Sequence, residues 1–263
     1  MGVLIETKSY QTINIRFDND ICTIQINRPD ANNAINEQLI AEISEVVQHC
    51  ANRYKVIVLE GSAEVFCFGA DFKEIQATFD NQLFENYEPV DPTPLYELWT
   101  LLATGPFVSI AHVRGKVNAG GVGFVAACDL VLSDSKAMFS LSELLFGLIP
   151  ACVLPFLIRR IGYPKANYMT LATQPVSVHQ ALEWGLVDAF EENSQSLLRK
   201  HLLRIRRITP QTIQRYKNFQ QQISATDPQI KHHAVAMNRT VFSDKENLEK
   251  ISRYVSTGQF PWE

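Results

Sequence analysis

The composition and charge of the chain exclude several classes of protein. Its 263 residues are 46% hydrophobic and 20% charged, which is ordinary for a globular protein with a substantial core. The formal net charge of −4 argues against a general nucleic-acid binder, because attraction to phosphates needs a basic surface. The sequence has no run of eighteen apolar residues, and its N-terminus lacks the layout of a secretory signal. We therefore expect a cytoplasmic protein that binds neither nucleic acid nor membrane.

Five cysteines are scattered along the chain and form no CxxC pair or Cys/His cluster. They are Cys22, Cys50, Cys67, Cys128 and Cys152. Their neighbours are mostly apolar, which is typical of buried free thiols in a reducing compartment. The sequence therefore predicts neither disulfides nor a metal site.

The first third of the chain shows strand and helix periodicities in turn. Asp18-Asn19-Asp20 separates two alternating apolar and polar stretches, which predicts a β-hairpin. Asp71 stands where it can cap a helix. The predicted elements are strands over 11–17, 21–27 and 55–60, and helices over 36–52 and 71–79. Residues 80–94, rich in proline and acids, predict a surface loop or a lid.

The pattern of strand, small-residue turn and helix then recurs at similar spacing. We predict strands over 107–112, 129–133 and 187–190, a helix from about residue 120, and a mostly helical chain from about residue 153. Repeated ββα units predict an α/β core. Its expected extent is residues 1–190, with a helical C-terminal region over 191–263 that completes the same domain.

The segment 116–150 carries the strongest chemical signal. Ala119-Gly120-Gly121 is a turn in which glycine lets the backbone approach a ligand closely. A helix opening at this turn adds a dipole that favours negative charge. Glu143 is a lone carboxylate among leucine and phenylalanine, and apolar surroundings raise a carboxyl pKa toward that of a proton carrier. An oxyanion stabiliser beside a single base predicts chemistry next to a carbonyl.

Five pieces of sequence, in order, resemble the crotonase (enoyl-CoA hydratase/isomerase) superfamily across essentially the whole chain. They are Asn27-Arg28-Pro29 with 31–34, Phe66 to Asp71, Ala119-Gly120-Gly121 to Asp129, Glu143 to Gly147, and Ala181 to Val187. The resemblance implies a crotonase-like ββα superhelix core that binds acyl thioesters. It also implies that the backbone N–H groups of Ala70 and Gly120 form an oxyanion hole for the thioester enolate. It further implies a homotrimer or a dimer of trimers.

The resemblance is incomplete at one catalytic position. Hydratases of the family carry two glutamates, of which the second matches Glu143 and the first falls on Gly123. One glutamate can still remove an α-proton and return it to a leaving hydroxyl. Asn118 either contacts the substrate or caps the turn through its own side chain. Tyr87 and Gly121 are further candidates for substrate binding.

Two departures concern the carrier of the acyl group. Coenzyme A-using relatives usually have cations where this chain has Asp30 and Thr257-Gly258-Gln259, and phosphate contacts are charge-assisted. An acyl carrier protein, which presents only a phosphopantetheine arm, needs no such cations. Carrier proteins are commonly acidic, so the basic 199–207 face or Arg159-Arg160 is a candidate docking surface.

Strings such as FCFGADF, VRGKVNAGG and TGQFPWE resemble the dehydratase subgroup of polyketide β-branching. That resemblance implies dehydration of 3-hydroxy-3-methylglutaryl-carrier protein to 3-methylglutaconyl-carrier protein, with Glu143 as the base and no metal or redox cofactor. Three alternatives remain open: the decarboxylase of the same cassette, a general enoyl-CoA hydratase or isomerase, and a non-catalytic binding protein.

Overall fold

The computed structural model describes residues 5, 8–80, 87–223 and 228–263. Ten strands lie in this part of the chain: β1 Ile13–Asp18, β2 Ile21–Ile26, β3 Val56–Glu60, β4 Val65–Cys67, β5 Val108–Val113, β6 Lys116–Asn118, β7 Leu130–Ser133, β8 Met138–Ser140, β9 Val176–Ser177 and β10 Ala189–Phe190. They form a larger sheet of order β1-β2-β3-β5-β7-β10 and a smaller sheet of order β4-β6-β8-β9. The β1–β2 and β8–β9 pairs are antiparallel and the others are parallel.

Ten α-helices lie in the same described ranges: α1 Glu37–Cys50, α2 Phe72–Asp80, α3 Thr93–Thr104, α4 Gly120–Ala127, α5 Leu154–Ala172, α6 Val178–Glu183, α7 Ser194–Ile205, α8 Pro210–Ile223, α9 Pro228–Ser243 and α10 Lys245–Thr257. A short 3₁₀ helix, Glu143–Phe146, follows β8. The chain visits the larger sheet, then the smaller sheet, then a helix, as in β5-β6-α4. This order confirms the predicted α/β core of ββα units.

The two faces of the larger sheet carry separate apolar clusters. Along β3, Ile57 and Leu59 join the large cluster that contains α1, α3 and α4. Val56 and Val58, which point to the other face, pack with α7. The helices around α4 and the basic helix α7 therefore lie on opposite sides of this sheet.

Most predicted elements are confirmed, with ends that differ by at most two residues. The hairpin pairs Ile13 with Ile26, and Asp71 accepts hydrogen bonds from the N–H groups of Lys73 and Glu74 at 3.2 and 3.3 Å as the cap of α2. The strand predicted over 187–190 is present as β10, but the chain after residue 153 also contains β9, which was not predicted. A strand of two residues is too short to show alternation of apolar and polar residues. The three-residue strands β4, β6 and β8 were not predicted for the same reason.

Other predictions on the overall structure have mixed outcomes. All five cysteines are free and buried, as expected, and burial raises the pKa of the Cys67, Cys128 and Cys152 thiols to about 12. Within the predicted lid or loop, residues 81–86 lie outside the described residues, and α3 begins at Thr93. Each helix in the described ranges is too short or too polar to cross a bilayer.

Candidate active site

The first glycine turn leaves one backbone N–H unused. Ile35 donates to the Gly69 carbonyl at 2.7 Å and accepts from the Asp71 N–H at 3.0 Å, forming a parallel bridge centred on Ala70. In such a bridge the N–H of the central residue points to the opposite side. The Ala70 N–H donates to no described residue. It is therefore available to a ligand.

The second turn lies directly against the first. Gly69 has φ +91°, and a Cβ built on it would lie 2.6 Å from the Ala119 Cβ and 3.4 Å from the Gly120 nitrogen. Ala119 is held at φ 51° and ψ −124°, a region that side chains rarely adopt, while its N–H donates to the Ser140 carbonyl at 3.0 Å. Gly120 begins α4, so its N–H also has no described acceptor. Two free N–H groups thus flank one small region.

Glu143 is a buried carboxyl without a complete set of partners. Its residue is 9% exposed, and its Oε2 atom makes no hydrogen bond to a described residue. Burial raises the pKa of the Glu143 carboxyl to about 7, and the backbone N–H groups of Ser142 and Glu143 only partly oppose this shift. A carboxyl of this kind exchanges a proton readily at neutral pH.

Asn118 connects both turns to the segment that carries Glu143. Its Nδ2 donates to the Ser142 Oγ at 3.0 Å and to the Phe68 carbonyl at 3.5 Å. Its Oδ1 accepts from the Ser140 Oγ at 2.8 Å. Its one side-chain-to-backbone hydrogen bond goes to Phe68 at the first turn, while α4 itself has no side-chain cap. A contact between Asn118 and the substrate stays a prediction.

Helix α10 contacts the end of the short 3₁₀ helix that begins with Glu143. Asn247 on α10 donates to the Gly147 carbonyl at 3.1 Å, and Gly147 (φ +77°) closes the 3₁₀ helix of Glu143. Phe146 packs edge-on against Phe72 at 5.1 Å and Tyr254 at 5.3 Å between ring centroids. Phe72 is the first residue of α2, two residues after Ala70. These contacts fix Glu143 relative to the two glycine turns at Ala70 and Gly120.

Gly123, where relatives carry a first glutamate, is covered by an indole. A Cβ on Gly123 would lie 2.5 Å from the Cζ2 and Cη2 atoms of Trp99. No side chain fits there while the ring stays in place. Trp99 comes from α3, a helix outside the predicted elements, although its apolar residues have helical spacing: Leu95, Leu98, Trp99 and Leu102.

The remaining candidates lie at varied places. Tyr87 packs edge-on against Phe79 at 5.8 Å, and burial raises its pKa. Gly121 lets α4 approach β4, because a Cβ there would lie 2.3 Å from the Cys67 carbonyl oxygen. Substrate binding by Tyr87 and Gly121 stays a prediction. No group of three metal-ligating side chains occurs within the described ranges.

The two candidate docking surfaces lie in different surroundings, and carrier-protein docking at either stays a prediction. Arg159 donates to the carbonyls of Ala126 and Ala127, both at 3.2 Å. Arg160 donates to the Leu186 and Cys128 carbonyls and pairs with Asp188 at 2.5 Å. Both arginines are thus committed to the end of α4 and its surroundings. The basic face of α7 is exposed, but it lies across the larger sheet from α4.

Comparison with known proteins gives one consistent family. The profile described as Enoyl-CoA hydratase/isomerase matches residues 16–263. The bacillaene synthase dehydratase PksH of Bacillus subtilis is 54% identical over 256 residues, which cover 97% of this chain and 98% of PksH. The enoyl-CoA hydratase/isomerase YngF of the same organism is 31% identical over 63% of each chain.

Solved structures agree on the fold. A crystal structure of the polyketide-biosynthesis enoyl-CoA hydratase PksH from Bacillus subtilis superposes with a TM-score of 0.93, covering 96% of this chain and 100% of PksH. A methylmalonyl-CoA decarboxylase, at 19% identity, superposes with a TM-score of 0.78 over 97% of this chain and 98% of its own. The likeness to the decarboxylase concerns the fold alone. Together with the PksH structure, it confirms the expected crotonase-like architecture.

Proposed function

Because the chain belongs to the enoyl-CoA hydratase/isomerase family, we propose that it is a dehydratase of polyketide β-branching. The enzyme is a hydro-lyase, in keeping with its 54% identity to a named dehydratase. Its proposed substrate is 3-hydroxy-3-methylglutaryl on the phosphopantetheine arm of an acyl carrier protein. The proposed product is 3-methylglutaconyl-carrier protein.

The proposed reaction uses the two N–H groups and the carboxyl described above. The thioester oxygen lies between the Ala70 and Gly120 N–H groups, which stabilise an enolate without reorganising. Glu143 takes the C2 proton, and the C2–H electron pair becomes the enolate. The enolate then reforms the thioester carbonyl while a C2=C3 double bond forms and the C3–O bond breaks. Glu143 returns its proton to the departing hydroxyl, so one water is released. These steps need no metal or redox cofactor.

One observation carries this proposal: the Oε2 atom of Glu143 is unpartnered in a carboxyl with a pKa of about 7, and Asn118 links the preceding residue, Ser142, to the Phe68 carbonyl beside the first glycine turn. A buried carboxyl with no ion-pair partner is costly to keep in a fold. Its retention beside free N–H groups favours acid–base chemistry at a thioester over simple binding. A decarboxylase needs the oxyanion donors but no base at this position.

The residues near the predicted phosphate contacts favour a carrier protein over coenzyme A. Asp30 is exposed, and the neighbouring Arg28 pairs with Asp71 at 2.8 Å and Glu74 at 3.1 Å. Arg28 is the only lysine or arginine between β2 and α1, and these two carboxylates already neutralise its charge. Lys73 on α2 and Arg253 on α10 are exposed on helices that begin at or brace the site. We propose that they attract the acidic carrier protein in place of the α7 face.

The decisive experiment compares 3-hydroxy-3-methylglutaryl on a carrier protein and on coenzyme A, with intact mass as the readout. We expect loss of one water, and faster reaction of the carrier-bound form. Loss of carbon dioxide would instead identify a decarboxylase. Equal rates with both carriers would contradict the carrier assignment.

The docking surface is tested by charge reversal in a matched pair of variants. Arg253→Glu should raise the KM for the carrier-bound substrate severalfold, and more so at low salt, because exposed charges act mainly on encounter. Arg204→Glu on α7 is the control, since it makes the same change of charge across the sheet. An equal effect of both variants would contradict the assigned surface.

We also propose that the chain assembles as a trimer or a dimer of trimers, as the family resemblance implies. Large exposed apolar side chains on the described helices support an assembly that covers them; they include Tyr163, Tyr168 and Leu171 on α5 and Tyr216, Phe219 and Ile223 on α8. Light scattering of the purified protein measures the number of subunits directly.

A further inference from the structure

Trp99 is a buried side chain that the proposed reaction does not use. Its residue is 1% exposed, and its ring packs edge-on between Phe124 and Phe156, at 5.7 and 5.8 Å between centroids. The ring edge rests on Gly123, whose missing Cβ would lie 2.9 Å from Cε2, the carbon bonded to the indole nitrogen. The indole is thus held firmly against α4.

The indole N–H is nevertheless unsatisfied. The Nε1 atom is buried and makes no hydrogen bond to a described residue. Burying an N–H without an acceptor is unfavourable, and tryptophan normally satisfies this group when it is buried. A phenylalanine at position 99 would fill similar space without that cost. An acceptor supplied by a ligand gives the N–H a partner.

The position of the indole matches the length of the proposed acyl group. Gly123 lies three residues after the oxyanion residue Gly120, which is a rise of about 4.5 Å along α4. The four carbon–carbon bonds between the thioester carbon and the distal carboxylate of a glutaryl chain span about 5 Å. A glutaryl chain anchored at Gly120 is therefore long enough to span the distance from Gly120 to Gly123, the residue against which the indole rests.

We propose that Trp99 is a specificity-determining residue whose indole N–H donates a hydrogen bond to the distal carboxylate of the acyl group. A neutral donor suits this place, because a second buried acid near Glu143 would repel an anionic substituent. The ring also fills the space that a glutamate side chain at position 123 would need. The proposed site therefore holds two carboxylates: that of Glu143 and the distal carboxylate of the substrate. This inference rests on the proposed dehydration of a dicarboxylic acyl thioester.

The first test is a change of substrate preference in Trp99→Phe. The carrier-bound substrates are 3-hydroxy-3-methylglutaryl and 3-hydroxy-3-methylbutyryl, which lacks the distal carboxylate. We expect kcat/KM to fall by about tenfold to a hundredfold for the first, as for a lost hydrogen bond to a charged group. For the second it should change little. Equal losses on both substrates would show a merely structural role and overturn the proposal.

The second test reads the N–H itself in the wild-type protein. The chain has three tryptophans, and Trp184→Phe serves as the matched control and aids assignment of the ¹⁵N-labelled indole resonances. Glutaryl-pantetheine, which cannot dehydrate, should shift the Trp99 resonance downfield, whereas butyryl-pantetheine should not. A Trp99 resonance unmoved by bound glutaryl-pantetheine would overturn the proposal. If glutaryl-pantetheine shifts the Trp99 resonance but the enzyme does not dehydrate 3-hydroxy-3-methylglutaryl-carrier protein, the proposed function is wrong. The hydrogen bond between Trp99 and the carboxylate would then still stand.

Discussion

Two buried glutamates in this protein have opposite surroundings. Glu143 lies at the turn after β8, with one carboxyl oxygen unpartnered and a pKa raised by burial to about 7. Glu60 ends β3 on the α7 side of the larger sheet, where its Oε2 is 3.0 Å from the Nδ1 of His112. The Nε2 of His112 is in turn 3.0 Å from the Ser194 Oγ.

The pKa of each buried carboxyl depends on the groups packed around it. Burial also acts to raise the pKa of Glu60, but the hydrogen bond and charge of His112, aided by Arg114 and Arg16, outweigh it, so the pKa is lowered. Glu60 is therefore held as a partnered anion that joins β3, β5 and α7. No cation among the described residues pairs with Glu143, and its pKa of about 7 lets it both release and accept a proton near neutral pH. Glu, His and Ser side by side form a structural network here, whereas a solitary glutamate carries the proposed chemistry.

The largest effect is expected on activity when the unpartnered carboxyl is removed. Glu143→Gln should lower kcat by about a hundredfold to ten-thousandfold, because general-base catalysis contributes that much. In the wild type, kcat/KM should fall about tenfold per pH unit below pH 7, since the base must be ionised. Steady-state kinetics from pH 5 to 9 measures both. Glu60→Gln is the control, and its folded fraction should keep the wild-type pH profile. A comparable rate in Glu143→Gln would exclude this residue as the base.

The next effect is on stability, with opposite signs for the two glutamates. Glu60→Gln replaces the buried carboxylate that lies 3.0 Å from the Nδ1 of His112, and losing a hydrogen bond to a charged group costs about 1.5–3 kcal/mol, so this variant should lower the free energy of unfolding at pH 8 by about that amount. Glu143→Gln should raise it by up to about 3 kcal/mol, because the wild type must ionise a desolvated carboxyl. Urea unfolding at several pH values measures both changes.

The pH dependence follows from the direction of each pKa shift. The lowered pKa of Glu60 gives stability that is present above the unfolded value near 4.5 and is lost as the pH falls through the folded value. The raised pKa of Glu143 gives a penalty that grows between 4.5 and about 7 and is absent below 4.5. Both differences from the wild type should therefore shrink at pH 4. A stabilisation by Glu143→Gln that is equally large at pH 4 would contradict this assignment.

The smallest effect separates a crowded glycine from an open one. Gly69 (φ +91°) and Gly258 (φ +73°) share a positive φ, but nothing lies within 4 Å of a Cβ on Gly258. Both Gly→Ala variants should lose about 1–2 kcal/mol of stability to the backbone conformation. Only Gly69→Ala should also lower kcat, by about tenfold or more, because it pushes Ala119 and moves the Ala70 and Gly120 N–H groups. Equal kcat values would show that the turns tolerate this displacement.

Much of the fold was predictable because its signals are local. The hairpin follows from alternation around Asp18-Asn19-Asp20, and α1 follows from apolar residues at helical spacing. Strands of two or three residues, such as β6 and β9, give no usable period, so only their pairing with other strands defines them. Helix α3 was not predicted, because it begins within a proline-rich stretch that is typical of a loop. The contact between Trp99 and Gly123 could therefore not be predicted either.

The sequence alone identified the groups to which the proposed chemistry is assigned: the glycine turns at Ala70 and Gly120, the single carboxyl Glu143, and the lack of a second one at position 123. These are properties of residue type and order. Tertiary structure decided that Asn118 braces the turns, that Arg159 and Arg160 cap α4, and that Trp99 covers Gly123. Each of these depends on distances between residues far apart in sequence, which no local pattern encodes. The same holds for the pKa of Glu143, because desolvation is set by what packs around a group.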